Sequence, residues 1–366
     1  MKRILFLTVY ASPYRVRFFD ELGKDAEVTV LFSDRKEDIH HRDAQWFEKG
    51  QGGFRAVQLK SALRIGGETL CLDVCKWLTR DYDAIIVGGY SSPTAMLAML
   101  WMRLRGIPFS MEVDGGLIRQ ESKMKLAFKR FLVRLPDRWL STGKHTTDYL
   151  VHYGAQKDKI TEYPFSSLYE KDILPQVVSR EEKQALREKL EIPEKRMVLA
   201  VGQFIPRKGF DVLMRAAQHL DKNTGIYIVG GEPTPEYLSM RQELGLEQVH
   251  FLGFRPKDRL AELYRAADVF VLPTREDIWG LVINEAMAYG LPVVTTDRCV
   301  AGQELVEDGV NGYLVPVDDP DALRGRLTEV LASDGEKMGS ASLEKIRDYT
   351  IENMAKAHLA FLQEHT

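Results

Sequence analysis

Apolar and β-branched residues come in short, nearly unbroken runs along the first half of the chain, separated by stretches where apolar positions recur at helical spacing. RILFLTV (3–9), EVTVLFS (27–33), AIIVGGY (84–90), PFSMEV (108–113) and RWLST (138–142) read as strands, with Arg15–Leu22 and Glu68–Leu78 as helices among them. The strongly charged SREEKQALREKLEIPEKR (179–196) follows. It opens with a capping box, Ser179 and Glu182, and runs into Pro193. The alternation then restarts with MVLAVG (197–202), IYIVGG (226–231), VHFLGF (249–254), VFVLPT (269–274), PVVTT (292–296) and GYLVP (312–316), and with helices that include Asp211–Leu220 and Asp258–Ala267. Strands alternating with helices predict parallel sheets covered on both faces. The expected architecture is α/β: two Rossmann-like, doubly wound domains facing one another across a cleft. Their predicted spans are 1–170 and 197–345, joined by a linker at 171–196, with a last helix at about 346–366 packing back on the first domain. Ligands of such sheets sit beyond the carboxyl ends of the strands, so the loops there are the places to search.

Composition narrows the classes. The 366 residues exceed one ordinary core and suit two domains. A net charge of −3 supplies no field for nucleic acid, and no RNA- or DNA-reading motif is present. MKRILFLTVYASPYR opens like a secretory leader, but its apolar run is short and has no small-residue cleavage site, so it reads as a buried first strand. AMLAMLWM (95–102) falls far below the roughly 20 residues of a bilayer span. Cys71, Cys75 and Cys299 form neither a disulfide framework nor a metal spacing, which suits a reducing cytoplasm; Cys71 and Cys75, at i and i+4, read as helix core. No metal is expected: Asp81-Tyr82-Asp83 precedes its strand, and Asp319-Pro320-Asp321 reads as a helix cap with Pro at N1. ESKMKLAFKRFLVRLPDRW (121–139) sets six cations against two acids, interleaved with Met124, Phe128, Phe131, Leu132 and Leu135. It reads either as a basic amphipathic helix lying on an anionic leaflet or as a core-packed helix with a solvated basic face.

The chemistry gathers after the strands of the second half. GQFIPRKGF carries Gly202, Arg207, Lys208 and Gly209 just before a helix, which makes either an anion cradle or a solvated basic turn; the spacing is not that of a P-loop. Gly230 and Gly231 end the next strand, where glycine allows close backbone approach and is also ordinary turn chemistry. VLPTREDIWG then places Glu276 and Asp277 directly after a strand. Gly280 opens the helix LVINEAMAYG and Gly290 closes it. The amides of Gly280, Leu281 and Val282 are expected to point toward a ligand. Glu285 lies about one and a half turns in, with Leu281 and Ala288 as helical neighbours that cannot pair with it. Amides suit phosphate and carboxylates suit sugar hydroxyls, a combination that describes a nucleotide diphosphate sugar.

Between about residues 195 and 320, the ordered series GQFIPRKGFDVL, IYIVGG, VHFLGF, the aromatic-Gly corner with EAMAYGLPVV, and GQELVEDGVNGYLV resembles family 4 of the retaining glycosyltransferases, which have the GT-B fold. The first half matches more loosely, in strand order and in SPYRVRFFDEL. The family carries an acid, seven intervening residues and then Glu, and here that spacing falls on Asp277 and Glu285. The resemblance implies that Glu285 holds the ribose hydroxyls and Asp277 the hydroxyls of the donor sugar, with Glu276 beside them. It also implies that Arg207 and Lys208 face the diphosphate, and that Gly202, Gln203, Gly230 and Phe254 line the donor site. Gln203 stands where the family often has arginine, so one cation is missing. On the acceptor side Ser12, Pro13 and Tyr14 stand where the usual glycine pair is absent, and Tyr14 and Arg15 are the expected acceptor contacts. The EVDGG loop, with Glu112 and Asp114, lacks the family's histidine. Asp114 either orients the donor sugar or acceptor hydroxyl or is a turn residue before Gly115-Gly116.

The function expected from this resemblance is transfer of a hexosyl group from a nucleotide diphosphate sugar, UDP-linked rather than GDP-linked, to a hydroxyl acceptor with retention of configuration. No metal or other cofactor is expected. Arg207, Lys208, Asp277 and Asp114 are the expected catalytic groups. The acceptor would be a glycan or a lipid-linked glycan in capsule, O-antigen or other surface-glycan synthesis, handled in the cytoplasm or at the inner membrane face through 121–139. The alternatives are a nucleotide-sugar epimerase, a phosphorylase, or a noncatalytic donor-binding subunit.

Overall fold

The computed structural model describes residues 1–34, 52–60, 63–65, 67–333 and 335–363. They divide into two compact units, Met1–Tyr169 together with the chain from Tyr349, and Glu170–Asp348. In the first unit follow β1 (Lys2–Thr8), α1 (Pro13–Leu22), β2 (Ala26–Phe32), β3 (Phe54–Gln58), β4 (Leu63–Ile65), β5 (Glu68–Leu70), β6 (Ala84–Gly88), α2 (Pro93–Arg105), β7 (Ser110–Val113), α3 (Lys123–Val133), β8 (Arg138–Ser141), α4 (Lys144–His152) and β9 (Ile160–Glu162). Seven strands form one sheet in the order β3-β2-β1-β6-β7-β8-β9, and β4 pairs antiparallel with β5. The opening apolar run is the central strand: Lys2 lies opposite Ala26 on one side and Ile4 opposite Ala84 on the other. Ile4, Leu5, Phe6 and Leu7 are all buried, as a strand covered on both faces requires.

One element differs from its sequence pattern. The expected helix at 68–78 is strand β5 followed by a 3₁₀ turn at Leu72–Lys76. Tertiary hydrogen bonds account for this. The Cys71 amide donates to Thr94 Oγ1 (3.0 Å) and its thiol to the Ser33 carbonyl (3.4 Å), which pins the segment against α2 and the end of β2. Cys71 is therefore core without being helical, and Cys75 is half-buried.

The second unit contains α5 (Arg180–Lys189), β10 (Arg196–Val201), α6 (Phe210–Ala217), β11 (Thr224–Val229), α7 (Pro235–Glu243), β12 (Val249–Leu252), α8 (Lys257–Ala266), β13 (Val269–Leu272), α9 (Leu281–Ala288), β14 (Val293–Thr296), α10 (Val300–Leu305), β15 (Gly312–Val315), α11 (Pro320–Ala332) and α12 (Gly335–Ile346). Its sheet runs β12-β11-β10-β13-β14-β15, every pair parallel. The strand order reverses between β10 and β13, and such a switch point leaves a crevice beyond the carboxyl ends. Residues 171–196, expected as a linker, hold α5, which Ser179 caps by accepting from the Glu182 amide (3.2 Å). The helix packs on α8, and its Arg187 donates to the Ala266 carbonyl (3.0 Å) and to Asp268 (2.8 Å), so this segment is part of the second unit. After it, α13 (Ile351–Gln363) rejoins the first unit and packs on α1, with the Ile351 amide on the Leu168 carbonyl (2.7 Å).

Candidate functional site

Two loops meet at the switch point of the second sheet, one leaving β10 and one leaving β13. Thr274 Oγ1 donates to the carbonyls of Arg207 (2.9 Å) and Glu276 (3.0 Å), and the Arg275 amide donates to the Arg207 carbonyl (2.8 Å). Arg275 also forks onto Asp211 (2.9 and 2.6 Å) and reaches Asp318 (2.7 Å), tying both loops to the start of α6. This zipper brings Arg207, Lys208, Glu276 and Asp277 together. Lys208 Nζ stands 2.6 Å from Asp277 Oδ2, and Arg207 Nη1 lies 3.6 Å from the same oxygen and 2.7 Å from the Glu276 carbonyl. Asp277 is only 8% exposed, and its main chain bonds Arg298 and Val300. The carboxylate read as aimed at a ligand is thus committed to Lys208, while Arg207 stays half exposed. Glu276 lies 4.0 Å from Arg298.

The turns after β10, β11 and β12 form the rest of this rim. A side chain at Gly230 would run into the Gly202 carbonyl oxygen, so close approach of two turns already demands glycine there. Gln203 and Phe254 are exposed on the same rim.

Gly280 enters α9 at φ +104°, where a side chain would also come within 2.8 Å of Cys299 Sγ. The Ile283 amide bonds the Gly280 carbonyl (2.8 Å); Leu281 and Val282, in the first turn, have no acceptor within the helix. Trp279 is buried and its indole donates to Asn284 (2.9 Å), so the aromatic corner locks the helix start. Glu285 is not without a protein partner. The Tyr264 hydroxyl, twenty-one positions earlier on α8, donates to its Oε2 at 3.1 Å. Burial first, then the Glu285 charge, hold the Tyr264 hydroxyl well above its ordinary range, and its ring stacks on Tyr289 at 5.1 Å. Sequence reading missed Tyr264 because it belongs to a different helix with no shared spacing. Burial and the Asp277 charge push the Cys299 thiol up to about 12, so it serves as a wall rather than a nucleophile.

In the first unit Tyr14, Arg15 and Asp114 also come together, but not as expected. Arg15 is 5% exposed: Nη1 is 2.9 Å from both Glu112 oxygens, and Nη2 bonds Asp114 Oδ1. It therefore shapes the carboxylates and cannot also be an open acceptor contact. The hydroxyls of Tyr14 and Tyr163 each donate to Asp114 at 3.3 Å. A residue absent from the sequence reading completes the group: His358 of α13, wholly buried, stands 3.4 Å from Glu112. On α3, Leu132 and Val133 are buried while Met124 (83%), Phe128 (50%) and Phe131 (51%) are exposed, so core packing accounts for only part of that segment. Among the described residues no three metal-binding side chains converge, and no helix is long and apolar enough to cross a membrane.

Residues 182–353 match the family described as glycosyl transferases group 1. The matched segment contains every element of the switch-point site. A D-inositol 3-phosphate glycosyltransferase of Mycolicibacterium gilvum is 40% identical over 160 residues, covering 42% of this chain and 36% of that protein. A namesake from Corynebacterium glutamicum is 32% identical over 226 residues, covering 58% of this chain and 53% of the relative. The chain thus spans about a third to a half of the length of these curated relatives. Among solved structures, Anabaena HepE in complex with UDP aligns over 100% of both chains with a TM-score of 0.77 at 19% identity. The chain has the two-unit α/β architecture of the GT-B glycosyltransferases.

Proposed function

We propose that the chain is a retaining glycosyltransferase that moves a hexosyl group from a nucleotide diphosphate sugar, UDP-linked in preference to GDP-linked, to a hydroxyl acceptor. One observation carries this reading. Arg207 and Lys208 gather on Asp277 next to the start of α9, the helix whose Glu285 is held by Tyr264, inside the segment that matches the family. Helix amides and cations fixed in place favour the diphosphate as negative charge develops on the leaving oxygen. Glu285 accepts from the ribose hydroxyls while Tyr264 fixes its rotamer. Asp277 positions Lys208 and, once Lys208 swings to phosphate, accepts from the donor sugar. No metal is assigned a part.

The acceptor is proposed to be a glycan or lipid-linked glycan of a surface polymer, met at the cytoplasmic membrane face. Exposed Met124, Phe128 and Phe131 among the cations of α3 support that location. The curated relatives' names make inositol 3-phosphate a further acceptor to assay.

Thermal unfolding with UDP, GDP, ADP and CMP tests the donor side. A nucleotide at about a hundred times its dissociation constant stabilises by about 2.7 kcal/mol, and UDP should do so in wild type but not in Glu285→Ala. UDP release from UDP-sugar that depends on acceptor then identifies transfer. Interconversion of the free donor without acceptor would indicate an epimerase, phosphate-dependent turnover a phosphorylase, and binding without any turnover a noncatalytic subunit. A shift retained in Glu285→Ala would remove that residue from the site.

A further inference from the structure

Four ionisable side chains meet at the carboxyl edge of the first sheet: Arg15 from α1, Glu112 from β7, Asp114 just past it, and His358 from α13. Tyr14 on α1 and Tyr163 after β9 add the hydroxyls that face them. Hydrogen-bond roles fix one ring proton of His358, and Nε2, which makes no hydrogen bond, is judged by what it faces. The Met354 carbonyl can only accept, so His358 Nδ1, 2.8 Å away, carries a proton. Nε2 is then turned to Glu112 Oε1 at 3.4 Å, among the rings of Phe6, Phe18 and Tyr163. Glu112 accepts from Arg15 on both oxygens, as an ionised carboxylate does. A lone pair on Nε2 would oppose that carboxylate where neither residue meets water, whereas a second ring proton would point at it. With Asp114 ionised, both ring protons set two cations against two anions, and a single ring proton leaves an uncompensated negative charge, which burial makes costly.

We propose that His358 is a positioning residue: doubly protonated, it neutralises Glu112, keeps Arg15 forked between Glu112 and Asp114, and so holds the Asp114 carboxylate in the orientation that serves sugar transfer. This role rests on the glycosyltransferase reading. Asp114 is the member with access outward, its side chain 27% exposed against 1% for Glu112 and 0% for His358. Burial pushes the Asp114 carboxyl above its ordinary range; Arg15 pulls it back and the Glu112 charge adds to the rise. Its proton affinity therefore answers directly to how the partners are charged.

Histidine-selective ¹⁵N NMR on the full-length protein reads the ring, with His358→Gln supplying the assignment. Both ring nitrogens of His358 should bear protons at pH 7.5 in wild type, and only one in Glu112→Gln. A singly protonated ring in wild type overturns the proposal without any need for activity. In kinetics, His358→Gln keeps a donor amide but no charge. It should lower kcat by on the order of tenfold to a hundredfold and move the pH profile of kcat, while the UDP-induced melting shift and the donor KM stay as in wild type. Unchanged kcat and pH profile overturn the positioning role. A wild-type protein with a charged His358 ring but no UDP shift and no transfer would instead sink the glycosyltransferase reading, and the positioning role with it, leaving only the charge assignment.

Discussion

Lys208 and Asp277 show how residues can be singled out in the sequence while their immediate company is missed. The spacing from Asp277 to Glu285 is visible in the sequence; that Lys208 would fold over Asp277 is not, because sixty-nine residues separate them. The same holds for Tyr264 on Glu285 and His358 on Glu112, each a contact made by the fold and not by local spacing. Removing one member of the nearly buried Lys208–Asp277 pair strands the other. Lys208→Met should lower stability by about 2 kcal/mol, with the Lys208→Met/Asp277→Asn double variant recovering most of it in urea unfolding. Equal stability of the two variants would show that the pair is not coupled. The Glu112 carboxyl carries a pH signature. Burial alone would raise it, but Arg15, His358 and Tyr163 together bring it down to about 2 from 4.5. Its folded value lies below its unfolded one, so the stability it confers is present above about pH 4.5 and is lost as pH falls toward 2. Asp114, raised, runs the opposite way. Wild type should exceed Glu112→Gln in stability at neutral pH, and the difference should shrink by about 3 kcal/mol between pH 5 and pH 2. A difference that stays flat over that range would refute the assignment.

At the level of elements, β-branched runs located β1, β2, β6, β10, β11 and β13 to within a few residues, because strands buried on both faces leave little polar ambiguity. Strands β3, β4 and β9 are short or exposed and carry no such run. The segment at 68–78 departs from its pattern because helical spacing cannot register the hydrogen bonds that Cys71 donates to Thr94 and the Ser33 carbonyl. The start of α9 was legible through Gly280, and the reason is steric. Alanine there would have to hold φ near +104° and press on Cys299, so Gly280→Ala should destabilise the protein by roughly 2 kcal/mol and weaken UDP binding as the first turn shifts. Gly280→Ala combined with Cys299→Ala relieves the contact but not the dihedral, so it should regain only part of the melting temperature. Full recovery would mean that backbone strain contributes little.

For the molecule as a whole, the doubly wound α/β class followed from the repeated alternation of strand and helix, which leaves few ways to bury so many two-sided strands. The sequence reading sets the helix at about 346–366 on the first domain, although the amphipathic pattern of α13 would by itself suit several surfaces. It joins the first, with Phe361 and Leu362 buried and His358 set against Phe6 and Phe18. This return of the chain has a consequence for biosynthesis. A ribosome releases Arg15, Glu112 and Asp114 long before His358, with the whole of the second unit made in between. Until α13 emerges, the nascent first unit holds two acids against one guanidinium and leaves the apolar face of α1 that α13 covers open to solvent. The charge of the first unit is thus balanced only after the second has been made, and a polypeptide that stalls between them would carry a complete second unit and an incomplete first.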